Sequence, residues 1–506
     1  MVIRRAYFDH EPTAIVLGSI TKLMSFRFGL ALSILLAPAL LRAQHTYPEG
    51  APVPRFMTAE EFFRWRPAQP AATAPPTGPI HCPAEYDPME GLQISWEGSS
   101  SWLTILAQVA KEATSADGDG IVYIAVDTPA EQTSASATLT STGVDLNKVR
   151  FIQTTTDTIW CRDYGPRYIY EGGCRAIIDH VYNRPRPNDD NFPFVFSALK
   201  HHAIYGIPLI HGGGNFHLDA LNRGYATRLI NNENPDKTEA QILQLWLDYQ
   251  NLNVHLFDPF QTSVDSTQHL DMWMQLIGDH AVVISDWPEQ SGSTQDLICD
   301  SAAGYMASHG YTVTRVPAKR TSTVHYTYTN VVMCNGVVMV PSYTNSLVSQ
   351  YNAPALAAWQ QACPDKRIVQ INCEPIISSA GAIHCIVMHI PKPLNGTTPS
   401  AYLKTQNGGE MYLPRQQVSI NWITDDDEAV TQVDLHYSVN GGQSWRTIVT
   451  GIPDSGNYVW TVPPIRSQSC KLRVTAKDSS GNAGSDVSDG VFSITSFGLS
   501  LRGPGG

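Results

Sequence analysis

Four short stretches set polar or nucleophilic residues among apolar ones. "TDTIWCRDYGP" puts Asp163 in a tight polar turn beside Trp160, and "TQHLDMW" spaces His269 and Asp271 two apart. "TYTNVVM" sets Asn330 at the start of a buried strand, and "SAGAIHCIVMHI" puts Cys385 after a small-residue turn at the head of another. A fifth stretch, "VYNRPRPNDD", carries Arg184 and Arg186, each before a proline that biases it toward extended backbone. Residues two apart in such backbone share a face, so the two guanidinium groups aim at one place. Together these groups offer a thiol, an imidazole, two carboxylates and two guanidinium groups, residue types able to supply a nucleophile, proton transfer and charge-assisted hydrogen bonds. Singly, each has a plainer reading. Asp163 could cap a turn and pair with Arg162 or Arg167, while His269 and Asp271 could be structural or ligate a metal. Cys385 could be one more buried thiol, and the arginines could pair with Asp189 and Asp190 in a solvated turn.

The elements around these stretches read as an α/β region followed by an all-β module. From about Cys82 to Pro391 strand signals ("IVYIAVD", "AIIDHVY", "HAVVISD", "GVVMVPSY", "RIVQIN") alternate with amphipathic helices ("SWLTILAQVAKEA", "EAQILQLWLDYQ", "NAPALAAWQQA"). Beyond it, "VSINWIT", "VDLHYSV", "GNYVWTV" and "KLRVTAKD" alternate apolar and polar residues, and "NGG" has the form of a hairpin turn. That spacing predicts an immunoglobulin-like sandwich over residues 409–497, joined through a linker at 396–408 and followed by a tail at 498–506. Its acidic "ITDDDEA" reads as a solvated turn. Residues 44–82 are rich in proline and alanine and read as a linker or surface wrap, with one helical candidate at "TAEEFFRW".

The chain has 46 acidic and 34 basic residues, a formal net charge of −12, which argues against a nucleic-acid or anionic-membrane binder. "MSFRFGLALSILLAPALLRAQ" has signal-peptide order and is too short to span a membrane comfortably, so residues 1–43 predict export with cleavage near Ala43. Asp9 and Glu11 suit a signal poorly and point to Met24 as the start. Export to periplasm or medium would allow disulfides, but nine cysteines leave at least one unpaired.

Two familiar enzyme classes fail on their motifs. "HGGGN" at 211–215 looks like an esterase oxyanion loop, but the chain has no G-x-S-x-G elbow. It also has no H-E-x-x-H, no clustered metal-ligand spacing and no EF-hand loop, so no metal or cofactor is called for. The joint order RDYGP, GGN, H-x-D, YTN and a late H-C resembles the guanidino-group deiminases, which include agmatine deiminase and the Porphyromonas-type peptidylarginine deiminases. The likeness spans residue 83 to about Pro391, within a catalytic region taken as 83–395. It implies a five-bladed α/β propeller (the pentein fold). It also implies that Asp163 and Asp271 grip a guanidinium, His269 is the acid and base, Cys385 the nucleophile and Asn330 a lining residue, with Trp160 beside the substrate.

Substrate choice within that family turns on Arg184 and Arg186. They resemble the residues that bind the α-carboxylate of a C-terminal arginine in the bacterial peptidylarginine branch, a group agmatine lacks. Agmatine deiminases usually carry an acidic residue before the central Gly-Gly, where this chain has Gly212. The expected function is therefore an exported peptidylarginine deiminase acting on arginine-bearing peptides or proteins through an S-alkylthiouronium intermediate. The rivals are a deiminase of agmatine or free arginine, and an inactive propeller serving as an exported binding or adhesion protein.

Overall fold

The computed structural model describes residues 47–65, apart from Glu49, and 72–495. The expected signal peptide and the tail at 498–506 lie outside these residues. No helix among those described is long and apolar enough to cross a membrane.

One pattern recurs through the α/β region. A short strand pairs antiparallel with the next, a helix follows, and a third strand returns parallel to the second. Arg167–Glu171, Cys174–Tyr182 and Ala203–His211 form one such unit. His217–Leu218, Arg223–Thr227 and Asn253–Phe257 form another. The pattern repeats in Met274–Gly278, Ala281–Asp286 and Thr312–Pro317, and in Val332–Cys334, Val337–Ser342 and Arg367–Asn372. A fifth unit joins the two ends of the region. Met388–Pro391 pairs antiparallel with Met89–Ser95, which runs parallel to Ile121–Val126. Strands such as Ile121–Val126 and Val337–Ser342 are buried and rich in Val and Ile, as strands covered on both faces are. The connecting helices bury one face each: Ser100–Thr114 covers the sheet with Trp102, Ile105, Leu106 and Val109.

The C-terminal module is a two-sheet sandwich. Ser400–Leu403, Gln417–Asp425 and Asn457–Thr461 form one sheet. The other is built around Gln432–Ser438 and Ser467–Lys477. Leu403, Trp422, Leu435, Trp460, Leu472 and Phe492 meet between them. Two expectations change here. The stretch read as a linker at 396–408 contributes the strand Ser400–Leu403, because Ala401 and Leu403 pack into this core. All nine cysteines are buried free thiols, so none of the possible disulfides is formed.

The acidic run at 423–429 is a solvated turn only in its second half: residues 427–429 are exposed, while Asp425 and Asp426 are buried. Asp425 is buried and accepts hydrogen bonds from the Arg175 main chain and guanidinium, each at 3.0 Å, tying the sandwich to the α/β region. His202 lies 3.3 Å away. Burial alone would raise the Asp425 pKa, but Arg175 and His202 outweigh it and hold the carboxyl well below its usual range. Removing Asp425 leaves Arg175 with Glu90 as its one remaining carboxylate among the described residues, so Asp425→Ala should cost about 3 kcal/mol in denaturant unfolding. Asp425's folded pKa lies below its unfolded value of about 3.9. Its contribution is therefore present above that pH and fades as pH falls, so the gap between wild type and variant should narrow in acid. A gap that stays constant into acid would show that the ion pair is not its source.

Candidate active site

Asp163, His269, Asp271, Asn330 and Cys385 sit in tight turns two to five residues before the first strand of a repeat unit. Asp163 lies in Cys161–Tyr164, Asp271 in Leu270–Met272 with His269 as its N-cap, and Cys385 in His384–Ile386. Asn330 directly precedes Val332–Cys334. The fifth turn, Gly213–Asn215, brings backbone instead of a side chain. All these residues are buried.

The turns converge on one guanidinium, that of Arg55. Its Nε and Nη2 donate to the two oxygens of Asp163 at 2.8 Å each. Nη1 and Nη2 donate to the two oxygens of Asp271 at 3.1 Å each. On the same group, Nη1 lies 2.6 Å from the Cys385 sulfur and Nη2 lies 2.7 Å from His269 Nδ1. An arginine can only donate, so His269 Nδ1 accepts. Asn330 Nδ2 donates to the Cys385 sulfur at 3.1 Å, and its Oδ1 accepts from the Ala382 and His384 amides at 3.2 and 3.1 Å. Asn330 thereby fixes the turn that carries the thiol.

Charges in this buried site shift one another. Burial opposes ionisation of Asp163 and Asp271, yet Arg55 overrides it and keeps both carboxylates well below their usual range. The Cys385 thiol is pushed well above its ordinary pKa, first by burial. Arg55 pulls it back, while Asp271 and Asp163 push it further up. A cation between the carboxylates is thus the group that favours a thiolate.

Trp160, Arg184 and Arg186 touch the main chain around Arg55. Trp160 Nε1 donates to the Val53 carbonyl at 2.8 Å, Arg184 Nε to the Arg55 carbonyl at 3.1 Å and Arg186 Nη2 to the Pro54 carbonyl at 2.7 Å. Arg186 also binds the Glu61 carboxylate through Nε at 2.7 Å. Asp189 and Asp190 do not pair with these arginines. They accept main-chain amides of Asp157, Thr158 and Tyr182.

Several participants were given no role by the sequence reading, although Gly214 and His384 lie inside the GGN and H-C motifs. Arg55 belongs to the stretch read as a linker. Gly214 matters because a Cβ there would stand 1.8 Å from Arg55 Nη2 and 2.7 Å from an Asp271 oxygen. The triple glycine was its only trace. His384 places Nδ1 2.9 Å from Asp271 and Nε2 3.0 Å from Glu85, orienting the carboxylate that faces the thiol. Glu85, His217 and His384 hold ligand atoms within 4.8 Å of one another, the spacing of a metal site. Glu85 is already committed to Arg162 at 2.7 Å and His384 to two carboxylates, so this donor set serves an ion-pair chain.

A family model for the Porphyromonas-type peptidyl-arginine deiminases matches residues 81–391, more than half of the chain. The chain belongs to that family. It is a hydrolase of guanidino C–N bonds. An agmatine deiminase of Ectopseudomonas mendocina (strain ymp) is 24% identical over 377 residues, covering 63% of this chain and 98% of its own length. The solved agmatine deiminase of Enterococcus faecalis matches with a TM-score of 0.54 at 18% identity, covering 65% of this chain and all of its own. The C. jejuni agmatine deiminase matches at 0.53 and 16%, covering 62% and 96%. These structures share the deiminase fold with this chain.

The position of Gly214 yields a test. A methyl group placed there overlaps the bound guanidinium, and overpacking of this kind costs about 1–3 kcal/mol. Gly214→Ala should lower kcat/KM for any guanidino substrate by about ten- to a hundredfold and, because Arg55 of the folded chain fills the same position, lower the melting temperature by a few degrees. Full activity would mean that substrate does not occupy the position of Arg55.

Proposed function

We propose that this deiminase acts on peptidyl-arginine, converting it to peptidyl-citrulline and ammonia. One observation supports this reading above the rest. The arginine held between Asp163 and Asp271 is a residue of a polypeptide, and the cleft binds its main chain as well as its guanidinium. The carbonyls of residues 53, 54 and 55 accept from Trp160, Arg186 and Arg184, and the Arg55 amide donates to the Ser379 carbonyl at 3.0 Å. Agmatine has no carbonyl for these donors. In a peptide ending in arginine, the carbonyl facing Arg184 would be one oxygen of the terminal carboxylate. A second feature agrees: a side chain at Gly212 would begin 2.8 Å from the His269 ring, so an acidic residue there would displace the imidazole.

The chemistry follows from the contacts. Asp163 and Asp271 hold the positive charge on the guanidinium, which keeps its central carbon electrophilic. The Cys385 thiolate attacks that carbon, forming a C–S bond. The C–N bond to the nitrogen facing His269 breaks, and the former thiol proton leaves on that nitrogen as ammonia, carried by His269. His269 then draws a proton from water, whose oxygen becomes the ureido carbonyl as the C–S bond breaks and the thiol reforms. The proton left over converts ammonia to ammonium. No metal or cofactor enters this sequence.

In the same reading the five repeat units are the blades of an α/β propeller, and the C-terminal sandwich is an immunoglobulin-like module. The segment 24–43 directs the chain to periplasm or medium, where arginine-bearing peptides and proteins are its partners. Nucleic acid and the membrane are not.

Cys385→Ser should fold normally and lose measurable turnover, because a serine hydroxyl is far less acidic. Substantial residual activity would remove Cys385 as nucleophile. A peptide ending in free arginine should exceed its C-terminal amide in kcat/KM by about ten- to a hundredfold, the effect of a charge-assisted hydrogen bond of about 1.5–3 kcal/mol. The preference should collapse in the Arg184→Ala/Arg186→Ala variant. If agmatine outperforms both peptides on wild type, the enzyme is an agmatine deiminase.

A further inference from the structure

The occupant of the active site is part of the enzyme. Residues 53–55 lie in the cleft, and the Arg55 side chain is buried completely in the carboxylate cage. Pro52 and Pro54 restrict the backbone of this stretch and lower the entropy lost when it docks. Six residues further on, Glu61 delivers a carboxylate to Arg186. Tyr47 donates to the same carboxylate, and a capping box with Thr58 fixes Glu61 at the start of the helix Ala59–Arg64. The segment thus brings a guanidinium to the acidic cage and an anion to the basic clamp. A peptide ending in arginine carries the same two charges.

The way it is held suits release. Glu61 is the one buried residue of the helix, while Phe62 and Phe63 are 68% and 78% exposed. Charge and main-chain hydrogen bonds carry much of the docking, with Val53 the one apolar side chain of residues 50–65 that is buried. Meanwhile the cage has no room for a second guanidinium, since all four carboxylate oxygens of Asp163 and Asp271 are engaged by Arg55.

We propose that residues 47–65 are a built-in occupant of the active site, holding Arg55 in the guanidinium cage and excluding external guanidino substrates until the segment is displaced or cut away. The inference rests on the cage being the substrate site. A tethered ligand acts at about millimolar effective concentration, so the segment competes with any substrate of ordinary affinity. The block appears in KM and leaves the chemical step untouched.

The test compares full-length wild type with Arg55→Ala, using a peptide ending in free arginine and, separately, agmatine. The variant should show a KM lower by about tenfold or more, with kcat within about twofold of wild type. Arg55→Ala empties the cage and leaves two carboxylates without their cation, so a second variant guards against loss of fold. Glu61→Ala loosens the segment with the cage still filled and should lower KM by a smaller factor. A synthetic peptide of residues 50–65 added in trans should inhibit Arg55→Ala competitively, and the same peptide carrying Arg55→Gln should not. Unchanged KM in both variants, or no inhibition by the added peptide, would overturn the proposal. A KM drop for agmatine without turnover of the peptide would uphold the block and overturn the peptidyl-arginine reading.

Discussion

Two carboxylates buried side by side are the constraint on which the rest of this site depends. Without a cation between them, Asp163 and Asp271 would repel each other, and one would take up a proton. With a guanidinium in place both stay ionised and all four oxygens are satisfied. The same cation lowers the pKa of Cys385, which burial and the carboxylates otherwise hold up. The site therefore couples binding to reactivity. A planar cation with donors in the right directions is what favours the thiolate; in the resting chain that cation is Arg55, and in turnover it is the electrophile of the substrate.

The fold meets this constraint by repetition. Five units place a turn just before their first strand, and each turn supplies one part: Asp163, the Gly213–Asn215 backbone, His269 with Asp271, Asn330, and Cys385. Tight turns suit the task because a carboxylate or thiol can be aimed inward there while the following strand anchors the backbone. Around them lies a supporting layer, with His384 between Asp271 and Glu85, and Asn330 bonded to the Cys385 turn. The glycines at 212 and 214 belong to that layer too, since the cage closes only where side chains are absent.

Much of this was legible in the sequence, and the reasons differ by element. Strands such as "IVYIAVD" and "GVVMVPSY" were readable because burial on both faces demands continuous apolar residues. The helix "EAQILQLWLDYQ" was readable from its amphipathic period. The turns carrying Asp163, His269, Asp271, Asn330 and Cys385 stood out as polar residues at the heads of apolar runs, and those residues do come together. Arg55 left no such trace, because a single arginine among prolines has no period and its meaning lies in partners far along the chain. Asp425 was misleading for a similar reason. An acidic run looks solvated until its partner is known, and Arg175 is 250 residues away. Sequence patterns report local periodicity well and long-range charge pairing poorly.

The coupling between the bound cation and the thiol is the centre of the account, and it can be measured without turnover. The ultraviolet absorbance of the Cys385 thiolate would be titrated against pH in wild type and in Arg55→Gln, with Cys385→Ser as the blank for the other eight cysteines. Wild type, with the guanidinium in the cage, should ionise at the lower pH, and Arg55→Gln should need a markedly higher one. Coincident titrations would contradict the claim that a guanidinium held by Asp163 and Asp271 is what makes the thiol reactive.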